Sequence, residues 1–292
     1  MPKYAIFMAL LTVLIPCSIQ SAAFAADYRR EGTLIGRQTI RLVRTDESLL
    51  EIARQYDLGG REITAANPGV DPFVPRVGRR IVVPTEWILP DVPIRKGIVV
   101  NIAEMRLFVY PRDGSEFVST YPIGIGDQGT DTPVGSFLII EKIENPAWNV
   151  PKSIRSEHPD LPAVVPPGPN NPMGSHALRL SDPTVLIHGT NRPWGIGNRD
   201  SHGCIRLYPE DIVRLFRTVR RGTPVTIVNQ PVLTAVRGDR VYMAVHDYGD
   251  GRNLYFEALK VLEAKGLTSR VNLKMVRKAG RERTGLLVDI SK

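Results

Sequence analysis

Of the five histidines and two cysteines in the 292-residue chain, two histidines and one cysteine fall within one short stretch, His188-Gly189-Thr190-Asn191 to Ser201-His202-Gly203-Cys204-Ile205-Arg206. A thiol nucleophile needs a thiolate, a base or ion-pair partner, and amide donors for the oxyanion that forms on attack. Cys204 follows Gly203, where the absence of a side chain lets backbone N–H groups approach a substrate. Two bases are available. His188 ends an apolar run, Thr184-Val185-Leu186-Ile187-His188, that predicts a strand and so a rigidly held ring. His202 stands two residues from Cys204 and would lean on its own backbone. The sequence therefore favours His188 as the base, with a backbone carbonyl or Asp200 as its partner, and gives His202 a loop-shaping place. A zinc site built from His188, His202, Cys204 and His176 is the competing chemistry, but no C-x-x-C or H-E-x-x-H spacing supports it. No metal is therefore expected from the spacing.

The N-terminus bears on the redox setting of that thiol. Lys3 precedes an apolar run from Ala5 to Ile15, and Ala23-Phe24-Ala25 has the small-x-small form of a signal-peptidase site. The run is shorter than the ~20 residues of a membrane span. The expectation is a signal peptide over 1–25, export to the periplasm, and membrane contact only through that transient segment. Cys17 leaves with the signal, so Cys204 is the single thiol of the mature chain and has no disulfide partner. The formal charge of +8, near +7 without Lys3, suits an anionic polymer or surface. No basic run interleaved with aromatics is present, so nucleic acid is not an expected partner.

The elements that must position the loop can be read from periodicity and punctuation. Over 38–84 the order is strand, helix, helix, strand: Gln38–Val43 alternates, Ser48–Tyr56 opens with a capping box of Ser48 and Glu51, Glu62–Pro68 is a short helix stopped by proline, and Arg80–Pro84 is again extended. Trp87–Pro93 reads as a linker. Over 96–229, Ile98–Ile102, Met105–Tyr110, Phe117–Pro122, Gly135–Lys142, Ala177–Leu180 and Val185–His188 predict many short strands, hence a mainly β unit of sandwich or barrel type. One helix stands out at Pro209–Val219, with proline at its first position, acids in its first turn and Gly222 after it. Residues 145–175 are proline-rich and aperiodic, and read as a long surface loop of the kind that covers sites. Beyond Pro231, a strand at Arg240–His246 and a helix at Asn253–Lys265 form a small α/β extension over 230–292.

Two resemblances follow from these motifs. The unit over 38–84 resembles a LysM module, a small fold that binds N-acetylglucosamine-containing glycans, through Ser48-Leu49-x-x-Ile52-Ala53-x-x-Tyr56, Ile63-x-x-Ala66-Asn67-Pro68 and Gly78-x-x-Ile81-Val82-Val83-Pro84; it departs from that pattern by an insertion over Gly69–Arg76. The H-G-T-N and S-H-G-C-I-R pair, Thr132-Pro133-Val134-Gly135-Ser136-Phe137 and Asn145-Pro146-Ala147-Trp148 resemble the L,D-transpeptidase (YkuD) catalytic domain across most of 96–229. That resemblance implies a β-sandwich-like catalytic fold that acts on peptidoglycan, with no metal or organic cofactor. Cys204 would attack a stem tetrapeptide and release its terminal D-alanine, His188 would shuttle the proton, the Gly189 carbonyl would orient His188, and the amides near Gly203 would hold the oxyanion. Ser201, His202, Arg206 and Trp148 would bind substrate or shape the loop. Many members have Asn where this chain has Arg206, which would hold a stem-peptide carboxylate or pair with a structural acid. The implied partners are stem peptides, glycan strands and an outer-membrane lipoprotein lysine as one acceptor. The rival activities are hydrolysis by the same residues, as an L,D-carboxypeptidase, and glycan binding without catalysis.

Overall fold

The structure, a computed structural model, describes residues 27–292, so the expected signal segment and Cys17 lie outside the described residues. The protein is mainly β. Its largest sheet has nine strands in the spatial order Asp27–Arg29, Phe117–Pro122, Arg106–Tyr110, Gly97–Asn101, Pro224–Val228, Gly135–Glu144, His176–Leu180, Leu186–His188 and Ile205–Arg206. Neighbours are antiparallel except at two places, where Pro224–Val228 runs parallel to Gly97–Asn101 and Ile205–Arg206 runs parallel to Leu186–His188. A parallel neighbour requires a crossover. The second of these crossovers is the glycine-rich stretch from Gly189 to Cys204.

Gly97–Asn101 and Arg106–Tyr110 are buried at every position, which happens when both faces of a sheet are covered. Alternation decides what covers each face. Ile98, Val100, Leu107 and Val109 join the core made with Ile187, Ile205, Ile212 and Leu215. Val99, Phe108 and Tyr110 join the core made with Leu49, Ile52, Ile63, Ile81 and Trp87. The first core belongs to the helix Pro209–Thr218. The second belongs to the N-terminal unit, so that unit and the sheet share one apolar interior. Complete burial of a side chain such as Phe108 contributes about 1.5–3 kcal/mol.

The N-terminal unit runs Thr39–Leu42, helix Leu49–Gln55, helix Gly60–Ala66 and Arg80–Val83, its two strands antiparallel. The capping box forms as read: the Glu51 N–H donates to Ser48 Oγ at 3.1 Å, and the Ser48 N–H donates to Glu51 Oε2 at 2.8 Å.

Three expectations are corrected. The linker over Trp87–Pro93 is instead a packed segment: Glu86–Ile88 pairs with Leu34–Gly36, and Trp87 is buried, its indole N–H donating to Glu62 Oε1 at 2.6 Å. Prolines ended the alternation there too early for the sequence to show a strand. The loop over 145–175 contains a hairpin, Trp148–Asn149 with Val164–Val165, and a helix, Lys152–Glu157; elements this short have no readable period. The C-terminal extension holds more than one strand and one helix. Val232–Arg237 pairs with Arg240–Val245, which pairs with Val288–Asp289, and a second helix spans Leu273–Glu282. That helix buries only Val276, Ala279 and Gly280, too thin a stripe to stand out among its lysines and arginines.

Candidate active site

His188 sits on a strand inside the sheet, between Ala177 of the antiparallel neighbour and Arg206 of the parallel one. Its carbonyl accepts the Leu207 N–H at 2.9 Å, and the next residue, Gly189, donates to the His176 carbonyl at 3.1 Å. The backbone that carries the ring is therefore tied on both sides. In the register, Ile187 lies beside Ile205, and both point into the core with Ile212. Side chains alternate across a strand, so Leu186, His188 and Arg206 face the other way, and Cys204, one residue before its strand, falls into the same row. The sulfur receives the Leu186 N–H and lies 3.9 Å from the Thr184 carbonyl. Cys204 and His188 thus come from two adjacent parallel segments, two residues apart in register.

The imidazole is buried, and its Nδ1 is 2.7 Å from the Gly189 carbonyl oxygen. A carbonyl can only accept, so Nδ1 carries the proton. Burial pulls the His188 pKa down to about 4; the Arg206 cation adds to the fall, and the Gly189 and Met173 carbonyls oppose it. Burial also pushes the Cys204 thiol above its ordinary value, with the Leu186 N–H and Arg206 opposing. Both groups are then neutral at pH 7, because burial disfavours the charged form of each.

Gly203 has a φ of +99°, a conformation that favours glycine. The turn is braced from within. Ser201 is buried, and its hydroxyl donates to the Cys204 carbonyl at 2.6 Å. The Ser201 carbonyl accepts from the Asp127 N–H at 2.8 Å and from Thr130 Oγ1 at 3.1 Å.

The other residues singled out in the sequence lie around this centre. His202 is exposed and turned away, its Nε2 3.5 Å from Glu157 Oε2 on the helix Lys152–Glu157. Arg206 Nη1 pairs with Asp200 Oδ1 at 2.9 Å, so of its two readings the structural acid is the one with a partner here. Trp148 is half-buried and pairs with Val165 at the start of the hairpin. His176 bonds Ser175 Oγ and stacks edge-on against Phe216, so the histidines and Cys204 do not converge on one point.

Sequence reasoning missed three supports. Asn171, 1% exposed, gathers the segment that covers the site: its Nδ2 donates to the Pro146 carbonyl at 2.9 Å, and its Oδ1 accepts the Met173 N–H. Arg54, on the N-terminal unit, forms a two-pronged pair with Glu210 at 3.0 Å and lies over the rings of Trp194 and Tyr208, which flank Cys204 on either side in the chain. Gly59 and Gly60 pack directly on Gly197, and the Gly60 N–H donates to the Ile196 carbonyl at 3.1 Å. The signal for this last contact was present as an unexplained Gly-Gly pair facing a glycine-rich loop.

Residues 95–227 match the family model described as the YkuD L,D-transpeptidase catalytic domain. The chain is similar to the probable L,D-transpeptidase ErfK/SrfK of Escherichia coli strain K12, 40% identical over 84% of this chain and 83% of that protein. It is also similar to the probable L,D-transpeptidase YbiS of the same organism, 39% identical over 88% of this chain and 86% of that one. A third relative there, the probable L,D-transpeptidase YcfS, is 47% identical over 68% of this chain, and the match spans 64% of that relative's length.

Proposed function

The chain belongs to the L,D-transpeptidase family, and on that premise we propose that it builds cell wall by acyl transfer through a thioester on Cys204. The observation that supports this reading best is the register that sets Cys204 and a buried, neutral His188 in one row on adjacent parallel segments. With Nδ1–H committed to the Gly189 carbonyl, Nε2 is the nitrogen left to take a proton. The thiol turns from Thr184 and passes its proton to His188, and the sulfur attacks the carbonyl that joins the third residue of a stem tetrapeptide to its terminal D-alanine. Amides near Gly203 and Cys204 hold the oxyanion. When the intermediate collapses, the C–N bond breaks, the His188 proton goes to the leaving amine of D-alanine, and a thioester remains. An acceptor amine then attacks the thioester, His188 takes the proton it loses, the C–S bond breaks, and the thiol is restored.

The acceptor is a stem-peptide diamino acid or a lipoprotein lysine. The protein works in the periplasm, where its N-terminal apolar segment would deliver it. The unit over 39–83 holds glycan strands near the site; its exposed Phe73, Val74 and Val77 supply apolar surface for sugar faces.

Incubation with purified disaccharide-tetrapeptide, followed by mass spectrometry, tests this. Crosslinked dimers that have lost one D-alanine are expected. Tripeptide alone would make water the acceptor and the enzyme an L,D-carboxypeptidase. A second incubation that adds a lysine-bearing peptide tests the other acceptor, and unchanged substrate in both would contradict the reading.

A further inference from the structure

Two peptide planes flank Cys204, and both are fixed through their carbonyl oxygens. On the C-terminal side the pin is Ser201, described above. On the N-terminal side it is Thr132, 2% exposed, whose hydroxyl donates to the Gly203 carbonyl at 3.0 Å. The same oxygen accepts the Gly126 N–H at 3.0 Å, so the hydroxyl uses its proton toward Gly203 and cannot turn away without orphaning a buried amide. Gly126 lies tight against the same loop, since a Cβ there would meet the Thr130 carbonyl oxygen at 2.1 Å. Arg199 pins the neighbouring Asp131 by a 2.6 Å contact, and Tyr248 donates to the same carboxylate at 3.1 Å. Thr132 is therefore the middle link of a relay that runs Gly126 N–H, Thr132 hydroxyl, Gly203 carbonyl.

A trans peptide points its C=O and N–H in opposite directions. Fixing the Gly203 carbonyl against Thr132 thus fixes the Cys204 N–H on the far side of the same plane. Gly203, at φ +99°, has the backbone freedom to let that plane rotate. A flexible residue beside the nucleophile needs an outside restraint, and the Thr132 hydroxyl is one.

We propose that Thr132 is a positioning residue for acyl transfer, aiming the Cys204 amide at the developing oxyanion by holding the Gly203 carbonyl. The proposal rests on the thioester reading above, and it assigns Thr132 a task distinct from making the thiolate. Loss of a single oxyanion donor costs roughly 10²–10³ in rate. A donor that is misaimed rather than deleted should cost less, about 10- to 100-fold.

Two reagents separate aiming from general support. A carbapenem presents a strained lactam carbonyl, so its attack builds an oxyanion. Iodoacetamide is displaced at carbon, needs only the thiolate, and builds none. Thr132→Val keeps the shape and removes the hydroxyl; Thr132→Ser keeps the hydroxyl. The expected result is a 10- to 100-fold slower carbapenem acylation of the valine variant, alkylation near the wild-type rate, and carbapenem acylation restored in the serine variant. Thr132→Ala gives the same pair of rates if the valine variant does not fold. Equal loss of both reactions would make Thr132 a general support of the fold and overturn the proposal, as would unchanged acylation. Failure of the wild-type protein to be acylated at all would contradict the thioester reading itself, and this proposal with it.

Discussion

His188 Nδ1 lies 2.7 Å from the carbonyl oxygen of Gly189, its own chain neighbour. In many thiol and serine acyltransferases a side-chain carboxylate or amide fills that place. Here a backbone carbonyl does, so the orienting partner cannot be lost by a single substitution and brings no charge. An uncharged partner leaves burial to dominate, which is why the ring stays neutral down to about pH 4.

The base assignment follows from this. His188→Ala should slow Cys204 acylation by about 10²–10⁴-fold, the usual scale for a general base. The exposed His202–Glu157 pair is worth at most about 1 kcal/mol, so His202→Ala should cost less than tenfold. Stopped-flow acylation rates, with near-UV circular dichroism to confirm folding, decide the order. A larger loss in the His202 variant would move the base there.

The contact between the N-terminal unit and the catalytic loop gives a second test. Gly59 has an ordinary φ of −79°, so alanine there strains no backbone. Its Cβ would nonetheless sit 2.8 Å from Gly197 Cα, and backbone on both sides cannot yield cheaply. Overpacking of this kind costs about 1–3 kcal/mol. Gly59→Ala should lower the urea midpoint accordingly and slow acylation, since the Trp194–Gly197 turn must move. Unchanged stability and rate would mean the two units are coupled more loosely than the contact implies.

Glu104 predicts an unusual pH dependence. Its carboxyl is buried beside Asn101, which donates to Oε1 at 2.9 Å, while Oε2 has no hydrogen-bond partner and faces His246 Nε2 at 3.8 Å. Burial raises its pKa to about 8; Asn101 and Arg106 oppose the rise, and Glu62 adds to it. The folded protein thus keeps a proton that the unfolded chain releases above its ordinary value of 4.5. Stability from this group is present below pH 4.5 and is lost as pH rises to about 8, at up to about 1.4 kcal/mol per pH unit. His246, held neutral down to about pH 4 by burial, acts in the opposite sense, with its stabilisation lost as pH falls below about 6.5. Between pH 6.5 and 8 the Glu104 slope should therefore stand clear of it. Glu104→Gln should flatten that slope in urea titrations, and an equal slope in the variant would contradict the assignment.

The candidate residues of the site were more legible than the scaffold that holds them. Cys204, His188 and Gly203 are rare or conformationally special residues gathered in one stretch, and residue type alone suggested their use. The Pro209 helix and the Ser48–Glu51 cap were readable because local hydrogen bonds decide them. Thr132, Asn171 and Arg54 were not, because each makes a bond to a residue more than 20 positions away, and a threonine that pins a distant carbonyl has the same letter as one that faces water. Trp87 was mistaken for linker because the partners that bury it, Glu62 and Arg106, come from the N-terminal unit and the central sheet. The continuous burial of Gly97–Asn101 was visible as an apolar run, but not the identity of the two cores that cover it.

Capture by a carbapenem tests the central claim, that Cys204 is the acyl-accepting nucleophile of a thiol acyltransferase. The lactam carbonyl needs the thiolate and the oxyanion amides together, and with the thiol pushed above its ordinary value the rate should keep climbing with pH through 8 rather than level off near neutrality. Intact-mass spectrometry after incubation, followed by peptide mapping, should show one drug equivalent on Cys204, slow to hydrolyse, and none in Cys204→Ala. An unmodified mass at long times, or an adduct on any residue other than Cys204, would contradict the account.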